Sequence, residues 1–185
     1  MTKAYIVVEG PHHIKILRAL IEPALLQDVT FVDGEDKYNA DPLARTLLSE
    51  RQIPTVLVVD ADTNNEIAIE SYQQDLEFLS HTATVHTPYK ILQAVPTIET
   101  VFLQDRTLVE ECIGRPLSPL EWQLGQKQPR DLLAQYPKGV QAFIEHTLHN
   151  LTEQKLQTLR QHPLIQEITG FLATQVHPSN PALAS

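Results

Sequence analysis

Cysteine is almost absent from this chain of 185 residues, and its one cysteine, Cys112, excludes both an internal disulfide framework and a zinc site built from several cysteines. Long apolar stretches are absent too, since no run approaches the roughly 18 consecutive apolar residues that a transmembrane helix needs. The first residues, MTKAYIVVEG, lack the small-residue cleavage site of a secretory signal. We therefore expect a cytoplasmic protein that does not engage a membrane.

Positive charge is scarce as well. The chain has 14 Lys and Arg residues against 23 Asp and Glu residues, a formal net charge of −9, and 15 of the acidic residues lie within residues 1–104. A protein that coats nucleic acid by counterion release needs a broad Lys/Arg face, so this composition argues against that mode of binding. A nucleic-acid partner remains compatible with the sequence if bound cations offset the acidic charge.

Four short apolar runs, which begin 25, 26 and 28 residues apart, predict a parallel sheet. The first three are nearly continuous, which is typical of strands buried on both faces, and each interval has room for a turn and a helix. The predicted strands cover residues 4–8, 29–32, 55–59 and 83–87. Between them we predict a helix over residues 11–26, a second that Asp41 caps and that ends before Pro54, and a third over residues 64–79.

After Pro96 the pattern predicts helices only, and prolines interrupt them. These helices cover residues 98–104, 119–124, 130–136, 140–148, 152–160 and 164–176. We therefore predict an α/β domain over residues 1–104, a helical C-terminal subdomain over residues 105–176, and a flexible tail over residues 177–185.

Acidic residues directly follow two of the predicted strands. Glu9 and Gly10 end the first strand, and Asp60-Ala61-Asp62 ends the third. Right-handed crossovers can place these two strands side by side, about 4.8 Å apart. The carboxyl ends of parallel strands share one edge of the sheet, which is where α/β proteins bind ligands. We therefore expect Glu9, Asp60 and Asp62 to lie close together.

Carboxylates at this spacing repel one another by about 3 kcal/mol per pair at an effective dielectric constant near 20. Two arrangements offset the repulsion: a raised pKa that keeps one carboxyl protonated, or a bound divalent cation. No set of histidine and cysteine ligands competes in this sequence. We favour the cation, and all-oxygen ligands indicate a hard ion, Mg²⁺ or Mn²⁺.

The segments IVVEG, residues 6–10, and VLVVDAD, residues 56–62, resemble the Toprim domain, the metal-binding fold shared by topoisomerases, bacterial primases and the OLD family of nucleases. In that family a glutamate after the first strand and a DxD after the third hold divalent metal. The resemblance covers residues 3–104. It implies a Rossmann-like parallel sheet and metal-dependent cleavage of phosphodiester bonds, in DNA rather than RNA.

Thr97-Ile98-Glu99 resembles the Ser/Thr-x-Glu element that helps OLD-type nucleases to form a second metal site. The resemblance thus implies metal ligands at Glu9, Asp60, Asp62, Thr97 and Glu99. A simpler interpretation, with Thr97 as a helix N-cap and Glu99 in the first turn, is compatible with it. Where these families place an acidic residue, this sequence has His13, which can ligate Mn²⁺, transfer protons or mark a weakened metal site.

Two basic residues, Lys127 and Arg130, are candidates for the group that faces the scissile phosphate in OLD-type nucleases. Their simplest interpretation is solvated surface charge. The ATPase loop that precedes the nuclease part of OLD proteins, Gly-x-x-x-x-Gly-Lys-Ser/Thr, does not occur in this sequence. The resemblance therefore implies a stand-alone nuclease domain with an ATPase partner acting in trans, as in phage-defence pairs that resemble OLD proteins split in two.

Two other hypotheses fit the sequence. The histidine at position 13 is also compatible with a catalytically degenerate Toprim module that binds metal or a partner without cutting. The DxD alone is compatible with a transferase that acts on a nucleotide-sugar or a phosphate group. Nicking of supercoiled plasmid in Mn²⁺ separates the nuclease from the degenerate module, and turnover of a nucleotide-sugar would support the transferase.

Overall fold

The most continuous apolar runs of the sequence form the two central strands of a four-stranded parallel sheet. The computed structural model describes residues 1–84 and 86–176, and the strand order is β2-β1-β3-β4. The strands are β1 (Ala4–Val8), β2 (Val29–Asp33), β3 (Thr55–Asp60) and β4 (Tyr89–Ala94). Val8 of β1 lies opposite Val58 of β3, and Asp60 lies opposite Ala94 of β4. The predicted α/β fold is confirmed, and so is the pairing of the first and third strands.

Helices cover both faces of the sheet and make up the C-terminal part of the described chain. They are α1 (Pro11–Leu20), α2 (Lys37–Arg51), α3 (Glu66–Ala83), a 3₁₀ helix (Ile98–Gln104), α4 (Arg106–Ile113), α5 (Pro119–Lys127), α6 (Pro129–Leu133), α7 (Gly139–His149), α8 (Glu153–Arg160) and α9 (Pro163–Val176). None of the helices in the described ranges has the length and apolar character that crossing a membrane requires.

The fourth strand lies six residues later than the sequence pattern predicts. Helix α3 continues through Ala83, and the strand begins at Tyr89, directly after Pro88. The predicted strand over residues 83–87 is therefore wrong, although residue 85 lies outside the described residues. Because β4 is an edge strand, it is only partly buried, and it lacks the continuous apolar run of the central strands.

The first two helices also begin or end elsewhere than predicted. Helix α1 ends at Leu20 instead of residue 26, because Pro23 disfavours helical backbone in the residue before it. Helix α2 begins at Lys37 under a cap by Asp36, so the predicted cap at Asp41 is wrong. The chain turns tightly at Gly34, where an added Cβ would lie only 2.6 Å from the Cα of Ala40. Ala40, directly before the predicted cap, is already part of helix α2.

In the C-terminal half the predicted helices are present with shifted ends, and the segment 98–104 is a 3₁₀ helix. One helix was not predicted: α4, which begins after the cap Asp105 and ends at Gly114 with φ +82°. The predicted tail, residues 177–185, lies outside the described residues.

The alternating side chains of β1 and β3 divide the apolar residues between two layers. Ile6, Val8 and Val56 pack in the larger core with α1 and the C-terminal helices, including Phe102. On the other face, β1 and β3 pack against α2 and α3, for example through Leu57. The C-terminal helices thus share a core with the sheet, and this packing brings α6 to the edge at which Glu9 and Asp60 lie. The domain boundary near residue 104 remains a prediction.

Candidate metal centre

Acidic residues from three separate segments meet at the carboxyl edge of the sheet. Glu9 follows β1, Asp60 ends β3, and Glu99 lies in the 3₁₀ helix that follows β4. The backbone N–H of Asp60 donates to Glu9 Oε1 over 2.6 Å. The backbone N–H of Ile98 donates to Asp60 Oδ1 over 2.8 Å. The pairing of parallel strands therefore brings together the residues that the sequence pattern predicts to be close.

Arg130 supplies a positive charge to this cluster from the C-terminal half of the chain. Its Nη2 donates to Asp60 Oδ2 over 2.7 Å, and its Nε donates to Glu99 Oε1 over 3.1 Å. The two carboxylates are almost fully buried, at 1% and 3% exposure, whereas the Arg130 side chain is 45% exposed. Charge-assisted bonds of this kind are among the stronger ones in proteins. Arg130, which the sequence predicts to face the scissile phosphate, therefore bridges two of the predicted metal ligands.

The placement of Arg130 depends on close packing between α5 and α6. Gly125 of α5 leaves no room for a Cβ beside Leu132 of α6. Asn64, in the loop after β3, donates from Nδ2 to the backbone carbonyl of Lys127 over 2.8 Å. These contacts hold the start of α6 against the loop that carries Asp62.

Two adjacent histidines at the start of α1 complete the cluster. His13 is fully buried, and its Nε2 lies 3.1 Å from Asp60 Oδ1. His12 Nε2 lies 3.9 Å from Glu99 Oε1, and the two imidazole rings have centroids 4.2 Å apart. Potential ligand atoms of His12, His13 and Asp60 all lie within 4.8 Å of one another. These three residues could therefore hold a metal ion.

His12 is the member of this cluster that the sequence analysis did not select. The only indication in the sequence is the pair of histidines that follows Glu9-Gly10-Pro11. Residues next to each other on a helix point about 100° apart, so spacing alone favours one ligand at most. At the first turn of α1 both rings nevertheless lie beside the carboxylates.

Asp62 does not share the buried position of Asp60. Its backbone has φ +56°, and its side chain is 52% exposed and pairs with Lys37, whose Nζ lies 3.2 Å from Asp62 Oδ2. Lys37 Nζ also donates to the backbone carbonyls of Asp60, over 2.5 Å, and Ala61, over 3.3 Å. Lys37 therefore fixes the turn after β3, and Asp62 faces an open pocket instead of the buried cluster.

Several buried polar atoms of the cluster have no hydrogen-bond partner among the described residues. They are His12 Nε2, His13 Nδ1, Thr97 Oγ1 and Glu99 Oε2. Leaving such an atom unpaired costs about 1–3 kcal/mol. Unpartnered oxygen and nitrogen atoms beside two buried carboxylates fit a divalent cation. The residues present therefore fit the metal that the sequence predicts, with His12 in addition.

The local environment shifts several pKa values. Burial raises the pKa of Glu9, and the neighbouring carboxylate of Asp60 raises it further. Burial lowers the pKa of His12, with a smaller contribution from His13, which favours a neutral imidazole. Burial opposes the charge on Arg130, but Glu99 and Asp60 outweigh that effect, and the pKa of Arg130 is raised.

An open pocket of about 290 Å³ lies beside the cluster. Among the residues that line it are Asp62, Thr97, Lys127 and Arg130. Its volume is at the lower end of the range for small-molecule sites, which is enough room for a phosphate group and part of a sugar. The exposed Lys127 and the half-exposed Arg130 place positive charge on the wall of the pocket, next to Thr97.

No protein-family model matches this chain, and no curated protein matches it. Three solved structures are similar to it, all of the C-terminal region of the Xanthomonas campestris pv. campestris OLD protein, phased with iodine, mercury and platinum. Their sequence identities are 16%, 14% and 15%, and their TM-scores are 0.47, 0.46 and 0.45. The matches cover 96%, 96% and 97% of this chain and 98%, 99% and 98% of those chains. Each match therefore spans nearly the whole of both chains at low sequence identity.

Proposed function

We propose that the protein is a divalent-metal-dependent nuclease of the Toprim/OLD type that hydrolyses phosphodiester bonds, with DNA as the first candidate substrate and RNA as the second. One observation carries this proposal. The buried carboxylates Asp60 and Glu99 lie beside unpartnered ligand atoms and directly next to a pocket with Lys127 and Arg130 on its wall. In this proposal a metal site and an anion site share one edge of the sheet.

The residues that would hold the metal are Asp60, Glu99, Glu9, Thr97 and His13, with Asp62 at the pocket. Mg²⁺ and Mn²⁺ are the proposed ions, because most of the donor atoms are oxygens. A bound divalent cation supplies Lewis acidity at a phosphoryl oxygen and lowers the pKa of a bound water.

The chain's own groups supply the remaining functions. The donors of Arg130 and Lys127 lie where a phosphate in the pocket can accept hydrogen bonds, which favours binding of the phosphate and stabilises charge in the transition state. Glu9 is half-buried with a raised pKa, so its carboxylate suits the acceptance of a proton from the attacking water. The water oxygen forms the new bond to phosphorus while the bond from phosphorus to the leaving ester oxygen breaks, and the proton accepted by Glu9 returns to that leaving oxygen through solvent.

The test is nicking of supercoiled plasmid by the full chain in Mg²⁺ and in Mn²⁺. The Asp60→Asn variant and the Glu99→Gln variant should lose nicking, because each removes the negative charge of a carboxylate in the cluster. The matched control is Asp75→Asn, an exposed carboxylate on α3, which should cut like the unmodified chain. Nicking that survives in Asp60→Asn would refute this site, and it would point to a contaminating nuclease.

A second candidate function is a degenerate Toprim module that binds metal or a partner without cutting. It is favoured by Arg130, which already satisfies one oxygen each of Asp60 and Glu99, and by Lys37, which pairs with Asp62. Mn²⁺ binding without nicking on any plasmid or RNA substrate would support this alternative.

An ATPase partner that acts in trans follows from the resemblance, and it belongs to the same proposal together with the expected cytoplasmic location. The sequence motif that an ATPase needs does not occur in this chain. Purification of the tagged chain from its native host should recover an ATPase with it. Recovery of the chain alone, in the presence and absence of ATP, would contradict this part of the proposal.

A further inference from the structure

His12 is the more exposed of the two adjacent histidines at the start of α1, and the proposed function gives it no role. Its imidazole belongs to the buried cluster, although the side chain as a whole is 29% exposed. The atom Nε2 is buried and has no hydrogen-bond partner among the described residues. Its nearest acidic neighbour, Glu99 Oε1, is 3.9 Å away, which is too long for a hydrogen bond.

The position of this nitrogen is instead compatible with a metal ligand, because potential ligand atoms of His12, His13 and Asp60 all lie within 4.8 Å of one another. The other oxygen of the same carboxylate, Glu99 Oε2, is buried and unpartnered, and so is Thr97 Oγ1 two residues earlier. Arg130 uses only Oε1 of Glu99, so an ion can bind at Oε2 without displacing the guanidinium.

His13 differs from His12 because its Nε2 already contacts Asp60 Oδ1 over 3.1 Å. With the backbone N–H of Ile98 on the same oxygen, this contact fixes the orientation of the Asp60 carboxylate. Nε2 of His13 therefore positions Asp60, whereas Nε2 of His12 and Nδ1 of His13 have no partner among the described residues.

We propose that His12 is a metal ligand in the group that it forms with His13 and Asp60, beside the unpartnered oxygen of Glu99, and that the site consequently prefers transition metals such as Mn²⁺, Co²⁺ and Zn²⁺ over Mg²⁺. This inference rests on the metal site of the proposed function and is independent of the hydrolysis. Imidazole nitrogen suits transition metals, whose affinity for such ligands rises along the series from Mn²⁺, whereas Mg²⁺ prefers oxygen ligands and retains several waters.

The first experiment measures binding of Mg²⁺, Mn²⁺ and Co²⁺ to the metal-free full chain by isothermal titration calorimetry. The unmodified chain should bind Co²⁺ about tenfold or more tightly than Mg²⁺. His12→Asn should weaken Co²⁺ binding by about tenfold or more and leave Mg²⁺ binding nearly unchanged. The matched control is His81→Asn, an exposed histidine on α3, which should retain the metal preference of the unmodified chain. A second variant, His12→Gln, and circular dichroism of each metal-free protein separate a lost ligand from a lost fold.

The second experiment detects the nitrogen directly, by electron spin echo envelope modulation of bound Mn²⁺. The unmodified chain and His81→Asn should show modulation from imidazole ¹⁴N, and His12→Asn should show clearly shallower modulation, because His13 is then the only histidine of the described cluster that can supply an imidazole nitrogen. Equal affinity for Co²⁺ and Mg²⁺, or ¹⁴N modulation of unchanged depth in His12→Asn, would overturn the inference.

The outcomes also separate this inference from the proposed function. If His12 provides the preference for Co²⁺ but no ion supports nicking, the metal ligand is established and the hydrolysis is refuted. If Mg²⁺ supports nicking and His12→Asn changes neither affinity, the hydrolysis stands and the His12 ligand is refuted.

Discussion

Replacing Arg130 with glutamine should destabilise the metal-free protein, because two buried carboxylates then lose their positively charged partner. The substitution removes a 2.7 Å bond to Asp60 and a 3.1 Å bond to Glu99, whose side chains are 1% and 3% exposed. Removing one partner of a fully buried ion pair costs about 3–5 kcal/mol, and the value for an exposed pair is about 0.2–1 kcal/mol. Because the Arg130 side chain is 45% exposed, we expect an intermediate loss of about 2 kcal/mol.

The assay is urea denaturation without divalent ions, followed by circular dichroism. In a parallel thermal melt, a loss of about 2 kcal/mol should lower the Tm of a chain of this length by about 4–8 °C. The control is Arg51→Gln, an exposed arginine in the last turn of α2, for which we expect a change within about 0.5 kcal/mol. Added Mn²⁺ should narrow the difference between Arg130→Gln and the unmodified chain, because a bound cation offsets the same carboxylate charge. A loss no larger than that of Arg51→Gln would refute the reasoning.

Three further predictions concern the surroundings of the site and the stability of the fold. Lys37→Met removes the donor that holds the turn after β3, so urea denaturation should show a loss of about 1 kcal/mol; unchanged stability would contradict this. The hydrogen bond from Arg115 and the cap at Ser118 lower the pKa of Glu121 from 4.5 to about 2. The ionised carboxylate of Glu121 therefore stabilises the fold above pH 4.5, and this contribution is lost as the pH falls towards 2. The difference in unfolding free energy between the unmodified chain and Glu121→Gln should therefore decrease in acid. An increase of that difference in acid would exclude the carboxylate as its source. Gly34→Ala should destabilise the protein by about 1–3 kcal/mol in thermal unfolding, because the added methyl meets the backbone of Ala40. Gly170→Ala, where a Cβ meets nothing within 4 Å, should stabilise helix α9 by about 1 kcal/mol, and equal effects at both glycines would contradict the packing argument.

The sheet could be predicted because its central strands are buried on both faces. Such strands have continuous apolar sequences, and β1 and β3 begin and end within one residue of the predicted limits. The edge strand β4 has two partly buried residues for each buried one, so the segment 83–87, which is richer in β-branched residues, matched a strand pattern better. The N-cap of α2 at Asp36 was not predicted. Its position depends on the tight turn at Gly34 and on the packing of that turn against Ala40, a contact that spacing along the sequence does not specify.

The candidate site could be predicted only in part, for a similar reason. Strand order follows from crossover rules, and it brings together Glu9 and Asp60. The positions of Arg130 and His12 depend on how α6 and the first turn of α1 pack against the sheet edge, which no local pattern encodes. Asp62 belongs to the same short motif as Asp60, but a left-handed backbone turns it away from the buried cluster and towards Lys37.

The most direct test of the metal site is anomalous diffraction from crystals grown with Mn²⁺. The geometry predicts one strong anomalous peak within about 2.2 Å of a carboxylate oxygen of Glu99, close to Asp60 and to Nε2 of His12. A peak only at exposed carboxylates such as Asp75, or no peak at all at millimolar Mn²⁺, would contradict the proposal that this edge of the sheet is a metal centre.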